Sequence, residues 1–391
     1  MPSDLLATEQ YILSGTKRLR CGFTTGTCAA LASRAAVESL LSGSVPQSVS
    51  LRTPKGWLAR ADVICEGVLI PFTSGGTCFR CGVQKDAGDD SDVTDGLLVF
   101  ATAELFPNDG ESVSVSIDGG AGVGRITKAG LDQSIGEAAI NRIPRQMITA
   151  AVTDVCETFG FSGNVKITID IPSGEAVAKK TFNPQLGIVG GISVIGTSGV
   201  VEPMSEQALI DALETEIRVI AASYGNKSDR PLIVTPGNYG SDFVARFPEW
   251  KDIPVLRCAN FIGNAIDLAS AYGFTRVIFV GHAGKFVKLA GGIMNTHSRV
   301  ADCRLELVCA HAALCGAEKN TLSSIINCAT VDAALTELDK VNLTEKTIRL
   351  LMDAAVKHVA RRVDGAYPFE LIMFTNERGV LSSRSWQKDT Q

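Results

Sequence analysis

The 391-residue sequence lacks any apolar run of about eighteen residues, and its 37 Lys plus Arg are outnumbered by 42 Asp plus Glu. The first absence excludes a membrane-spanning helix. The second gives a net charge of −5 and a pI near 5.5, which excludes a general nucleic-acid footprint and leaves room only for a local basic patch. With 45% hydrophobic and 20% charged residues the chain is not of disordered type, and its 38 glycines follow no collagen period. The opening residues MPSDLLATEQ carry an acid but no apolar core or cleavage signature, so no secretory leader is expected. Eleven cysteines, an odd and scattered set in mostly apolar surroundings, read as reduced core residues of a cytoplasmic protein. No repeat of fixed period and no long low-complexity linker interrupts the chain. At roughly 150 residues per domain the length allows one to three cores.

The texture of the chain resolves this to two. Residues 24–41 are alanine-rich, follow a threonine-rich turn and end before Gly43, which predicts a capped helix beginning near 25–27. Short β-prone pieces follow over 48–106, then the alternating SVSVSID at 112–118, a helix at 147–159 and the strand VKITIDI. This half reads as α+β. From about 192 onward, ISVIG, PLIVT, IPVLR and RVIFVGH each precede a helical stretch, the pattern of a mainly parallel sheet covered on both faces. Helices dominate 321–361, FELIMF returns as a strand, and the polar end is expected to fray. The expected architecture is an α+β N-terminal domain over 1–185, likened to a substrate-facing module, joined to a Rossmann-like α/β domain over 186–380 that faces a cofactor, with a polar tail over 381–391. Glycines cluster after the expected strands, at Gly196 and Gly199, Gly237 and Gly240, Gly263, and Gly281 and Gly284. Ligands bind at such carboxyl ends in open parallel sheets.

Several segments carry candidate chemistry. The run from Lys85 to Asp95 holds five aspartates, with Asp86 and Asp89 beside glycine; its spacing is not that of an EF-hand, and the alternatives are a ligand-facing loop or a solvated turn. Cys78 and Cys81 form a CxxC pair with no second pair at zinc spacing, and read as packing residues. His311 and Cys315, four apart on an expected helix, read the same way. Gly281-His282-Ala283-Gly284-Lys285 lacks the hydroxyl of a P-loop, so His282 and Lys285 are donors for a small cofactor or an acidic ligand. His297 is a further hydrogen-bonding or acid/base candidate. Arg18 and Arg20 precede Thr24, Thr25 and Thr27 at a helix start able to receive a carboxylate, and Arg125 and Lys128 follow a glycine-rich turn. A polyanionic small molecule would suit this set. A helix cap and a glycine hairpin would account for it equally.

Taken together, GFTTGTCAA at 22–30, KDAGDDSDVTDG at 85–96, GAGVGRITKAGL at 120–131, GTSGVVEPMSE at 196–206, TPGNYG at 235–240, CANFIG at 258–263 and GHAGKFVKLAGGIMNTHS at 281–298 closely resemble the CbiD-type cobalt-precorrin-5B C1-methyltransferases of anaerobic cobalamin biosynthesis. Ser91 and Ala129 stand where the family is expected to carry proline. The resemblance implies methyl transfer from S-adenosylmethionine to C1 of a cobalt-containing tetrapyrrole, giving cobalt-precorrin-6A, with no protein-bound metal because cobalt arrives in the substrate. On that basis Gly196, Thr197, Ser198, Gly199, Pro236, Gly237, Asn238, Asn260, Gly281 and Lys285 are expected to hold the cofactor. Arg18, Arg20, Thr24, Thr25, Arg125, Lys128 and His297 are expected to face the substrate, with Asp86, Asp89 and His282 orienting the macrocycle or moving a proton. Neither a nucleic acid nor a membrane is an expected partner; a homo-oligomer or passing contacts with pathway enzymes are compatible. The competing functions are a tetrapyrrole-binding or assembly protein without catalysis, and a nucleotide-dependent oxidoreductase, for which the strand-end loops lack a GxGxxG fingerprint.

Overall fold

The computed structural model describes residues 10–65, 70–71, 77–107, 110 and 112–388. The chain divides into two compact units, Met1–Glu206 and Gln207–Gln391, so the change of unit falls later than the expected 185/186.

In the first unit, period-two burial builds one sheet. Val99, Ala101, Ala103 and Leu105 of the Leu98–Pro107 strand and Val165, Ile167 and Ile169 of the Gly163–Asp170 strand are buried in a single core. The sheet runs Val113–Gly119, Gly163–Asp170, Leu98–Pro107, Thr77–Gln84 and Ile64–Cys65, with Ile70–Pro71 also on Thr77–Gln84. Only the first pair is parallel, and the Arg142–Thr158 helix lies in the crossover that a parallel pair requires. That helix starts earlier than the expected 147, with Pro144 in its first turn, where backbone N–H groups have no helical acceptor. The Thr25–Ser42 helix forms as expected: Thr24 Oγ1 accepts from the Thr27 N–H, and Gly43 ends it at φ 73°. Its buried Ala29, Ala30, Ala32, Ala35 and Ala36 leave little bulk against this core.

In the second unit, Pro231–Thr235, Val255–Arg257, Arg276–His282 and Phe369–Thr375 are parallel. Leu232, Val234, Val277, Phe279, Leu371 and Met373 enter one core, and Ile233, Ile278, Val280, Ile372 and Phe374 enter another. Both faces are therefore covered, which is why these strands are near-continuously apolar. The end expected to fray instead forms the Gly379–Trp386 strand, antiparallel to Phe369–Thr375, with Trp386 stacked on Phe369 at 5.3 Å. Residues 389–391 of the expected tail lie outside the described residues. ISVIG is a second correction: Gly191–Ile192 pairs with Gly122–Val123 in the first unit and contributes nothing to the parallel sheet. Numbered within the unit, the strand order is 2-1-3-4-5. The chain thus reverses its direction of travel across the sheet between Pro231–Thr235 and Arg276–His282, and the crevice beyond their carboxyl ends is the expected place for a ligand.

Candidate active site at the strand ends of the second unit

In the first unit the acidic run is bound into its own scaffold. Asp86 accepts two hydrogen bonds from the Arg20 guanidinium at 2.5 and 2.8 Å and one from the Gly88 N–H, and the Arg20 bonds hold its carboxyl below the usual range. Asp89 accepts from the Arg20 N–H, Asp90 from the Met204 N–H and Asp95 from the Ala87 N–H. Asp92 is paired at 2.6 Å with Lys85, whose side chain is 1% exposed. These carboxylates hold backbone N–H groups, the Arg20 guanidinium and the buried Lys85 ammonium.

The turn before the first helix is likewise closed by the chain itself. The Thr24 N–H and the Thr27 hydroxyl donate to the Gly199 carbonyl, and the Gly26 N–H donates to the Ile195 carbonyl. Gly196 sits at φ 136°, and a Cβ there would lie 2.2 Å from Thr24 Oγ1, so only glycine lets this loop cover the helix start. Gly196, Thr197, Ser198 and Gly199 are consequently part of the first unit's packing and are absent from the parallel-sheet loops to which they were assigned. Ser198 bonds locally to Val200, Thr197 is exposed and Thr25 is buried in the first helical turn. Arg125 is taken up by Asp118 and the Gly119 carbonyl, Lys128 donates to the Gln185 carbonyl, and Arg18 lies 4.0 Å over the Tyr11 ring.

The second unit does bring its candidates together. Lys285 Nζ donates to the Pro236 carbonyl and to the Ala259 carbonyl, each at 3.2 Å, so one ammonium joins the loops that follow the first three strands of the sheet. Burial pulls its pKa below the ordinary lysine value. Gly237 has φ 101°, its N–H donates to the Thr235 carbonyl, and where a Cβ would stand the nearest atom is Lys285 Nζ at 4.0 Å, so the space beside its Cα is clear. Asn238 and Tyr239 follow on the rim, both exposed. His282 ends the third strand. Its Nδ1 accepts from the Gly284 N–H, its Nε2 lies 4.0 Å from the Asp332 carboxylate, and its ring is 6.2 Å from Tyr239 and 5.6 Å from Phe374. An occupied Nδ1 places the neutral ring's proton on Nε2, toward Asp332. Gly281 is buried in the strand, and a Cβ there would meet the Phe286 ring at 2.0 Å, so its part is packing.

Beside Lys285 lies a depression of about 320 Å³ lined by Asn260, Gly284, Lys285, Lys288, Thr296, His297, Ser298 and Arg304. Asn260 accepts from Thr296 through both its main-chain carbonyl and Oδ1. Sequence reasoning found Asn260, Lys285 and His297 here but missed Lys288, Arg304, Thr296 and Ser298. The lone cation in the apolar FVKLA stretch was the available signal for Lys288. Among the described residues, no group of three or more His, Cys, Asp or Glu is placed to hold a metal ion, and no helix is long and apolar enough to cross a membrane.

Comparison with known proteins agrees along nearly the whole chain. The CbiD family model matches residues 13–203, and that of the CbiD C-terminal domain matches residues 295–385. A cobalt-precorrin-5B C(1)-methyltransferase of Ruminiclostridium cellulolyticum is 42% identical over 376 residues, covering 96% of this chain and 94% of its own. Its counterpart from Thermoanaerobacter sp. is 40% identical over 375 residues, covering 96% and 98%. A crystallised cobalamin biosynthesis protein (cbiD) from Archaeoglobus fulgidus is 30% identical, with 74% of this chain and 86% of that one covered and a TM-score of 0.38. The chain belongs to the CbiD family.

Proposed function

We propose that this protein is an S-adenosylmethionine-dependent C-methyltransferase acting on C1 of cobalt-precorrin-5B to give cobalt-precorrin-6A, and that the strand ends of its second unit hold the methyl donor. Full-length similarity to proteins of that activity carries the reaction. The convergence of three strand-end loops on Lys285 carries the location.

The donor set fits an adenosylated amino acid. Gly237 leaves clear space beside its Cα, Tyr239 offers an exposed aromatic face next to it, and Asn238 and Asn260 offer amide groups for ribose or amino-acid polar atoms. When bound, S-adenosylmethionine supplies an electrophilic methyl on a sulfonium, and its transfer requires near-linear alignment with the accepting carbon. The protein therefore has to position two partners, and no enzyme nucleophile is needed. Lys285 serves that end by fixing the Pro236 and Ala259 carbonyls relative to its own loop. His282 fixes the turn from strand to helix through the Gly284 N–H. Asp86 and Asp89 serve the first unit's integrity. Cobalt is part of the substrate, so the chemistry asks for no resident metal.

The test is anaerobic incubation of the purified protein with methyl-labelled S-adenosylmethionine and cobalt-precorrin-5B, followed by mass analysis and location of the label. One methyl gained at C1 is the expected product. Tight binding of the corrinoid with no transfer, under conditions where a known family enzyme turns over, would replace this reading with that of a binding or assembly protein.

A further inference from the structure

Lys288 is an unusual cation. Its residue is 2% exposed, and its Nζ donates to the Thr296 carbonyl at 3.0 Å and the Ala301 carbonyl at 2.8 Å, with Asp302 at 3.8 Å. Two neutral acceptors and a half-exposed carboxylate at 3.8 Å are modest compensation for an ammonium removed from water. An ammonium carries three donors, and among the described residues two of these have acceptors within hydrogen-bond distance. The same side chain helps to line the depression beside Lys285.

The rest of that lining shares its character. Lys285 and Arg304 add two cations, and Thr296 and Ser298 add hydroxyls. His297 Nδ1 accepts from the Arg299 N–H, which leaves Nε2 as the protonated nitrogen of the neutral ring. Among the described residues, no carboxylate lines the depression. The nearby acid is Asp302, half-exposed, which holds Arg304 at 2.5 and 3.0 Å and thereby fixes its guanidinium at the rim. Three cations around about 320 Å³ share the single carboxylate of Asp302, which pairs with Arg304 and lies 3.8 Å from Lys288, and the excess positive charge suits an oxyanion small enough to be held by a few charge-assisted hydrogen bonds.

Resting on the methyltransferase reading above, we propose that this depression is a carboxylate subsite, with Lys288 as its buried anchor and Arg304 as its rim donor. Neither partner of a sulfonium methyl transfer to a tetrapyrrole needs a phosphate, and both present carboxylates: the methyl donor at its amino-acid end, the macrocycle on its side arms. Recognition of one carboxylate here would orient its bearer next to the Lys285-tied loops. A role confined to stapling the 296–301 loop would leave Lys288 indifferent to ligand charge.

The experiment compares matched probes on the full-length protein by equilibrium titration. The first pair is S-adenosylhomocysteine and methylthioadenosine, which lacks the carboxylate. The second is a cobalt corrinoid polyacid and the same ring with its arms amidated. Wild-type protein is expected to prefer the acid member of one pair by about ten- to a hundredfold, the range for one or two charge-assisted bonds. The pair that shows the preference identifies the source. Arg304→Gln and Lys288→Met should reduce that preference to under about threefold, while affinity for the carboxylate-free member stays the same. Should Lys288→Met fail to fold, Arg304→Gln alone supplies the same reading. Absence of acid preference in both pairs, or a preference unchanged in folded variants, overturns the subsite. None of these readouts requires turnover: absence of any acid preference in wild-type protein with a positive methyl-transfer assay rejects the subsite alone, and an intact, variant-sensitive preference with no transfer rejects the catalytic reading alone.

Discussion

Replacing Asp92 with asparagine removes the one ionic partner that Lys85 has among the described residues while keeping the shape of the side chain. Lys85 is 1% exposed at its side chain and meets Asp92 at 2.6 Å, inside the loop that carries the acidic run. Burial alone would raise the Asp92 carboxyl, but Lys85, with help from the Thr94 N–H and hydroxyl, more than reverses this and holds its pKa below the ordinary value. Breaking such a pair from one side leaves a buried charge uncompensated, which costs about 3–5 kcal/mol. For a unit of this size that is a fall in melting temperature of about 6–20 °C. Differential scanning calorimetry of Asp92→Asn should show the drop in the transition of the first unit. The double variant Lys85→Met with Asp92→Leu should recover most of it, because well-packed apolar groups replace a buried ion pair with little loss. The pH dependence has a definite sign. A depressed carboxyl contributes stability that is present above the ordinary carboxylate range and is lost as pH falls through the depressed folded value. The gap between wild type and Asp92→Asn should therefore be full at neutral pH and close under strong acid. A loss below about 1 kcal/mol at neutral pH, the size of a surface pair, would refute the claim that this acidic run is internal scaffolding.

Two further outcomes follow from the same geometry. Lys285→Met loses both carbonyl contacts and should reduce methyl transfer by about ten- to a hundredfold through misplaced loops, with about 1–3 kcal/mol of stability lost, measurable by product mass and by urea unfolding. Burial pushes the thiols of Cys28 and Cys258 up to about 12 and those of Cys81 and Cys156 to about 11. Iodoacetamide at mildly alkaline pH should therefore label exposed Cys65 and Cys303 in the native protein, and should reach those four only in denaturant, as peptide mapping would show.

The parallel sheet of the second unit was legible because its strands are buried on both faces and glycine or histidine punctuates their ends. The Thr25–Ser42 helix was legible from its cap and its terminal glycine. ISVIG misled because a short apolar run looks alike in any sheet, and its true partner, Gly122–Val123, lies far away in sequence. The Gly379–Trp386 strand was hidden because an edge strand exposes one face, so its polar alternation reads as a loose end. At the site, Lys285 and Asn260 could be picked from their loops. Asp86 and Arg20 were picked as ligand contacts, yet they satisfy each other, because residue type reveals charge and not its partner. The meeting of Lys288 with Arg304 was hidden for a related reason: it depends on how residues 288–304 fold back on themselves, although a lone cation in the apolar FVKLA stretch marked Lys288 itself.

The claim that the second unit's strand ends hold the methyl donor turns most directly on Gly237, beside which the space a Cβ would fill is clear out to Lys285 Nζ at 4.0 Å. Isothermal titration of S-adenosylhomocysteine into wild-type protein and into Gly237→Val, with melting curves to establish that the variant is folded, addresses it in one comparison. The account predicts one ligand per chain for wild type and at least about tenfold weaker binding for the variant. Equal affinity for the two proteins would contradict it.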